Sequence, residues 1–271
     1  MLSKVEARNP QGDLLTFLLE DDSTGFLVKD IVGLDPVNAT LTKSDFAQQD
    51  GTQFNAARRE DRNIVIKLKL APADSDTSVG DLREQLYSFF MPKVPVDLRF
   101  YDGSRVVNSS GRVESCVAPL FTKTPGADIS IICFDPDFIG LEAVELEGFT
   151  VSDTTETLIP YAGTSDTGVL FTLNLDRTET DFTIFHRAPS GIVTQMAFTI
   201  SLVSGDVVTV STITGDKYVK LVHSSVETDV LYALDGSNWV TLAKGNNYIR
   251  VYATGAEIPY TLSYINRYGG L

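Results

Sequence analysis

The 271-residue chain is 43% apolar and 21% charged, proportions that exclude a disordered or fibrous protein. Its basic and acidic residues number 15 and 21 over residues 1–140, and 7 and 15 over 141–271, so neither half offers a basic face to nucleic acid. Two cysteines, no signal-peptide core at the N-terminus and no apolar run near the roughly 20 residues of a bilayer span predict a soluble protein with reduced thiols.

In chain order, strand signals dominate. LSKVEAR and DLLTFLLE read as two strands about the turn Asn9-Pro10-Gln11-Gly12. FLVKDIVGL follows, then VNATLTKSDF, where Val37, Ala39 and Leu41 alternate with polar neighbours. The stretch QQDGTQFNAARRED carries no alternation and reads as a loop. RNIVIKLKL then places Ile64, Ile66, Leu68 and Leu70 on one face.

One segment has helical period. Val79, Leu82, Leu86 and Phe89 make an apolar stripe widened by Phe90, predicting an amphipathic helix over about 78–91. Ser78 and Asp81 resemble a capping box, and Pro92 ends the helix. Strands resume at VPVDLRFY, RVVNSSGRVESCVAPLF and DISIICF.

After Phe138-Ile139-Gly140 the composition turns acidic and rich in Thr, Ser and Gly, which reads as the entry to a second domain over 141–271. There GVLFTLNL, DFTIFHR, QMAFTISL, DVVTVSTI, KYVKLV, DVLYALD, NNYIRVYA and IPYTLSYI recur between turns, the rhythm of a β-sandwich or jelly roll. The fold class is therefore mainly β, an N-terminal β-sheet or barrel domain with one helix (1–140) followed by a β-sandwich.

Chemistry-bearing residues are sparse. His186 and His223 lie in separate strand segments and read as surface or strand-edge residues rather than a zinc pair, which needs three or four convergent ligands. Asp135 and Asp137 flank Pro136 and read as a strand terminator rather than an acid–base pair. Gly163–Gly168 imitates a nucleotide loop but reads as a turn, and Cys116 and Cys133 read as small buried side chains. No cofactor, metal or catalytic constellation is indicated. Arg58, Arg59, Glu60, Asp61 and Arg62 form a dense mixed-charge cluster, either a solvated loop or an intersubunit ion-pair network. Within DGSNWVTLAKGNNYIRVYA, Asp235-Gly236 and Lys244–Asn247 read as turns and Trp239–Leu242 as a short strand.

Several segments resemble, in order, the distal tail proteins of phages with long non-contractile tails. IVGLDPVNATLTKSDFAQQDGTQFNAARREDRNIVIKLKL resembles that family's Gly-Leu, D-G-x-x-F and alternating strand. LRFYDGSRVVNSSGRVESCVAPLFTK and ISIICFDPDFIG resemble its paired strands and Cys-x-Asp-Pro signature, and DGSNWVTLAKGNNYIRVYA its W-x-x-L-x-x-G-x-N segment. Asp137 and the turn Lys244–Asn247 depart from the family pattern.

The resemblance implies a non-enzymatic virion protein. Its N-terminal domain forms a homo-hexameric ring, and a galectin-like β-sandwich projects outward. The ring joins the major tail-tube protein to the tail-associated hub protein, beside the tape measure, and receptor-binding or baseplate proteins dock on the outer domain. DNA passes through the ring, with no sequence-specific nucleic-acid or membrane partner. A second reading makes residues 141–271 a carbohydrate-binding module, but His186, Arg187, Asn174 and Trp239 are dispersed over several strands.

Overall fold

The computed structural model describes residues 1–271 apart from 22, 48, 49, 74, 104, 237 and 256. The chain divides into two compact units, Met1–Leu141 with Tyr268–Leu271, and Glu142–Arg267. Each is mainly β.

The first unit contains β1 (Leu2–Arg8), β2 (Leu14–Leu18), β3 (Phe26–Val32), β4 (Ala39–Asp45), β5 (Thr52–Arg59), β6 (Arg62–Leu70), α1 (Val79–Phe89), β7 (Pro95–Asp102), β8 (Arg105–Val117), β9 (Gly126–Cys133) and the start of β10 (Phe138–Phe149). Antiparallel pairing runs β2-β1-β7-β8-β9-β6-β3. β2 and β3, at the two ends, come back into contact, so the sheet curls around its own side chains. Period-two alternation decides what goes inside: Ile64, Ile66, Leu68 and Leu70 of β6 join Leu98, Phe100, Ile129 and Ile131 in one core. Helix α1 covers that core with Leu82, Leu86 and Phe89, and Phe90 stacks on Phe17 with ring centroids 6.2 Å apart. Its N-terminus carries a full capping box, in which the Asp81 amide donates to Ser78 Oγ and the Ser78 amide to Asp81 Oδ2.

The second unit contains the remainder of β10, then β11 (Thr157–Tyr161), β12 (Leu170–Asn174), β13 (Glu179–Arg187), β14 (Val193–Leu202), β15 (Val207–Ser211), β16 (Tyr218–His223), β17 (Val226–Asp229), β18 (Leu234–Asp235), β19 (Gly245–Tyr252) and β20 (Pro259–Tyr268). One sheet runs β17-β16-β15-β12-β20-β10 and the other β11-β19-β13-β14-β18. Phe171, Leu173 and Val210 from the first meet Phe182, Ile184, Phe198, Ile249 and Val251 from the second in one sandwich core. Phe182 and Phe198 stack with centroids 4.5 Å apart.

Three readings are corrected. Residues 52–59, expected as loop, form β5 and pair with β4 along its length; the pair covers no core, so it carries no apolar alternation (Gln48 and Gln49 of that stretch lie outside the described residues). Trp239–Leu242 forms no strand; among the described residues its pairing is an isolated bridge from Leu242 to Thr167, and Ser237 before it lies outside the described residues. Lys244–Asn247 is not a turn throughout: Gly245, at φ +114°, makes the entry into β19, which already includes Gly245, Asn246 and Asn247.

Candidate functional site

Every residue of β4 and β5 is exposed, and among the described residues each strand pairs with the other alone. Register places Leu41 opposite Ala57 and Lys43 opposite Phe54, with a bulge between, so Leu41 and Phe54 share a face. They are 62% and 64% exposed. A lone two-stranded hairpin in water is marginal, and a bare apolar pair on one has no folding role of its own.

The root of the hairpin is built from the charged cluster. Arg62 is only 1% exposed. Its Nε and Nη2 donate to Pro136 O at 2.9 and 2.6 Å, Nη1 to Asp35 O at 2.9 Å and to Gly33 O, and Nη2 also to Gly269 O at 2.7 Å. The guanidinium carbon lies 4.1 Å from the Phe138 ring centre. Burial pulls its pKa below the ordinary arginine value, yet the group stays a cation because the whole fork is satisfied by carbonyl oxygens. Gly33 permits the close approach: at φ +93° an added Cβ would run into the Asn63 carbonyl.

Arg59 pairs with Asp137 through both terminal guanidinium nitrogens, Nη1 to Oδ1 and Nη2 to Oδ2 at 2.9 Å. Asp137 is 1% exposed, so this carboxylate is a buried ion-pair partner rather than a simple strand terminator. The Asp137 amide donates to Asp135 Oδ1 at 3.0 Å, which makes Asp135 the turn former. Across the two arms, the Glu60 amide donates to Asn38 O and Thr40 Oγ1 to Glu60 Oε1. Of the five cluster residues, the side chains of Arg59, Glu60 and Arg62 are therefore engaged within the chain. Arg58, Glu60 and Asp61 face solvent.

The remaining candidates do not converge. His186, expected at the surface, is 3% exposed and lies 3.1 Å by Nε2 from Asn247 Oδ1. It points inward because Phe182, Ile184 and His186 share the core-facing side of β13. Burial lowers its pKa, opposed in part by the Asn247 hydrogen bond. His223 Nδ1 meets the buried Asp206 at 2.7 Å. Asn174 ends β12 in the other sheet, and Trp239 packs on the sandwich core with Lys217 over its ring at 5.3 Å. Cys116 and Cys133 are free thiols, Cys116 pushed up to about 11 by burial. Among the described residues no group of three or more His, Cys, Asp or Glu is placed to hold a metal ion.

Residues 162–268 match the profile of the siphovirus-type tail component, C-terminal domain. The chain is similar to the siphophage distal tail proteins. The solved SPP1 Dit (gp 19.1) protein, described as a paradigm of the hub adsorption apparatus of phages infecting Gram-positive bacteria, shares this fold. Its TM-score is 0.68 at 17% identity, covering 97% of this chain and 98% of its own. A component of the phage P2 baseplate in its calcium-activated conformation aligns over 98% of both chains at 9% identity and TM-score 0.46. No curated protein sequence matched significantly. The distal-tail-like family match falls on the sandwich, while the exposed hairpin lies in the unit that the profile does not cover.

Proposed function

We propose that the protein is a non-enzymatic hub of a phage tail tip, assembled as a homo-hexameric ring through its N-terminal unit. In this reading the ring joins the tail-tube protein to the tail-associated hub protein, close to the tape measure. The C-terminal sandwich projects to receptor-binding or baseplate proteins. Assembly takes place in the host cytoplasm, and DNA passes through the finished ring. The observation that carries the reading is the β4–β5 hairpin, which presents Leu41 and Phe54 to solvent from a root fixed by Arg59 and Arg62. A ring needs a heterologous contact, in which a projection of one copy meets a different surface of the next, and this hairpin is such a projection. Arg58, Glu60 and Asp61 at its base supply the polar rim.

Light scattering and negative-stain imaging of the full-length protein test it. The expected result is six-fold rings for the wild type, and a monomer of unchanged Tm for the double variant Leu41→Ser, Phe54→Ser. A wild type that stays monomeric at its highest soluble concentration, or a double variant that forms rings as readily, overturns the reading.

A further inference from the structure

The sheet β11-β19-β13-β14-β18 turns one face to the sandwich core and the other outward. On the outward face, register sets Arg187 opposite Tyr248 and Arg250 opposite Phe185. Each guanidinium carbon lies 3.9 Å from the centre of its partner ring. Because the pairs are reversed on adjacent strands, cations and rings form a two-by-two checkerboard. The rows extend to Leu158 beside Tyr248, Val193 beside Arg187 and Gln195 beside Phe185. Leu158 and Val193 are 47% and 61% exposed.

These two arginines stand out electrostatically, because residues 141–271 hold only 7 basic residues against 15 acidic ones. A ring beneath a guanidinium supports one face and leaves the in-plane N–H groups to meet an acceptor, which a carboxylate matches bidentately. One such pairing is already in place: Arg187 Nε and Nη2 donate to the Glu156 carboxylate. That pair is solvent-accessible on both sides, hence weakly held and displaceable. Arg250 gives Nη1 to the Asp153 carbonyl at 2.9 Å and has no ion-pair partner among the described residues. The face thus alternates charged forks with apolar ring and aliphatic surface, and the Gln195 amide lies at its edge. A pyranose bearing a carboxylate has the same alternation of apolar C–H face, hydroxyls and anion.

We propose that this face binds a uronate-containing polysaccharide, with Arg250 and Arg187 taking carboxylates while Tyr248, Phe185 and Leu158 lie against the sugar rings. In the unliganded protein Glu156 occupies the Arg187 position as an internal stand-in for one carboxylate, and the polymer displaces it. The proposal does not depend on ring formation.

Calorimetry with the full-length protein tests it, using polygalacturonate as probe and neutral dextran and poly-L-glutamate as controls. Polygalacturonate is expected to bind, about tenfold more weakly to both Arg250→Ala and Arg250→Lys, since an ammonium lacks the planar fork. Glu156→Gln, which frees Arg187, is expected to bind several-fold more tightly. Unchanged Tm and light scattering of each variant separate loss of the site from loss of fold or of assembly. Absence of polygalacturonate binding in both wild type and Glu156→Gln overturns the proposal. So does binding that ignores the Arg250 substitutions, which would make the checkerboard a purely structural pairing. Equal binding of dextran removes the role of charge, and equal binding of poly-L-glutamate makes the face a docking site for acidic protein.

Discussion

Arg62 is charged, buried and held by main-chain carbonyls contributed by residues 33, 35, 136 and 269. Arg62→Met fills the space but leaves those carbonyls without their charged donor. It is expected to cost about 3 kcal/mol, read as a lowered urea midpoint at constant slope. Arg62→Lys recovers only part of this, because three donors on a point charge cannot span the same loops. His186 sets a pH dependence of definite sign. Burial holds its folded-state pKa below the unfolded value of about 6.5, so the stability it contributes is complete above that pH and lost as pH falls through it. Between pH 8 and 5 the wild type should lose up to about 1.4 kcal/mol per unit below the unfolded pKa, and His186→Gln should show a shallower decline. Of these residues the sequence displayed Arg62 only as one charge among five. Whether a guanidinium is buried depends on which carbonyls surround it, and these come from positions up to 207 residues away.

At the scale of the element, α1 was legible in detail because both its stripe and its cap are local: four apolar positions at helical spacing, and Ser78 three residues before Asp81. Ser78→Ala should cost about 1 kcal/mol, measurable by thermal denaturation, with the helix retained in the crystal or by NMR. β6 was equally plain, since Ile64, Ile66, Leu68 and Leu70 recur at every second position, with lysines between the last three. β5 was not. Its sequence TQFNAARR has no buried face to impose a period, and its strand character comes from hydrogen bonds to β4 alone. The same property that hid β5 makes the hairpin a candidate for assembly: a strand pair that buries nothing in its own chain.

At the scale of the molecule, the second unit owns a complete core drawn from both of its sheets. A fragment spanning 142–267 is therefore expected to fold alone, with a cooperative urea transition and near-ultraviolet circular dichroism from its buried tyrosines. The first unit includes Tyr268–Leu271, tied in by the Arg62 bond to Gly269 and by the Leu271 amide to Leu34 O. A fragment of residues 1–140 is thus expected to unfold at lower urea than one in which 268–271 are rejoined through a short linker.

The sequence by itself determined the β character, the helix with its cap, and the inward face of β6, because periodicity of two or 3.6 is a property of neighbours along the chain. It also carried the likeness to distal tail proteins, spread over ordered short motifs. Only the tertiary structure decided that residues 52–59 are a strand, that Arg59 closes on Asp137, and that Arg187, Phe185, Tyr248 and Arg250 stand in one checkerboard. Those facts rest on register between strands far apart in sequence, and register is settled by which faces must be buried, not by any one strand alone.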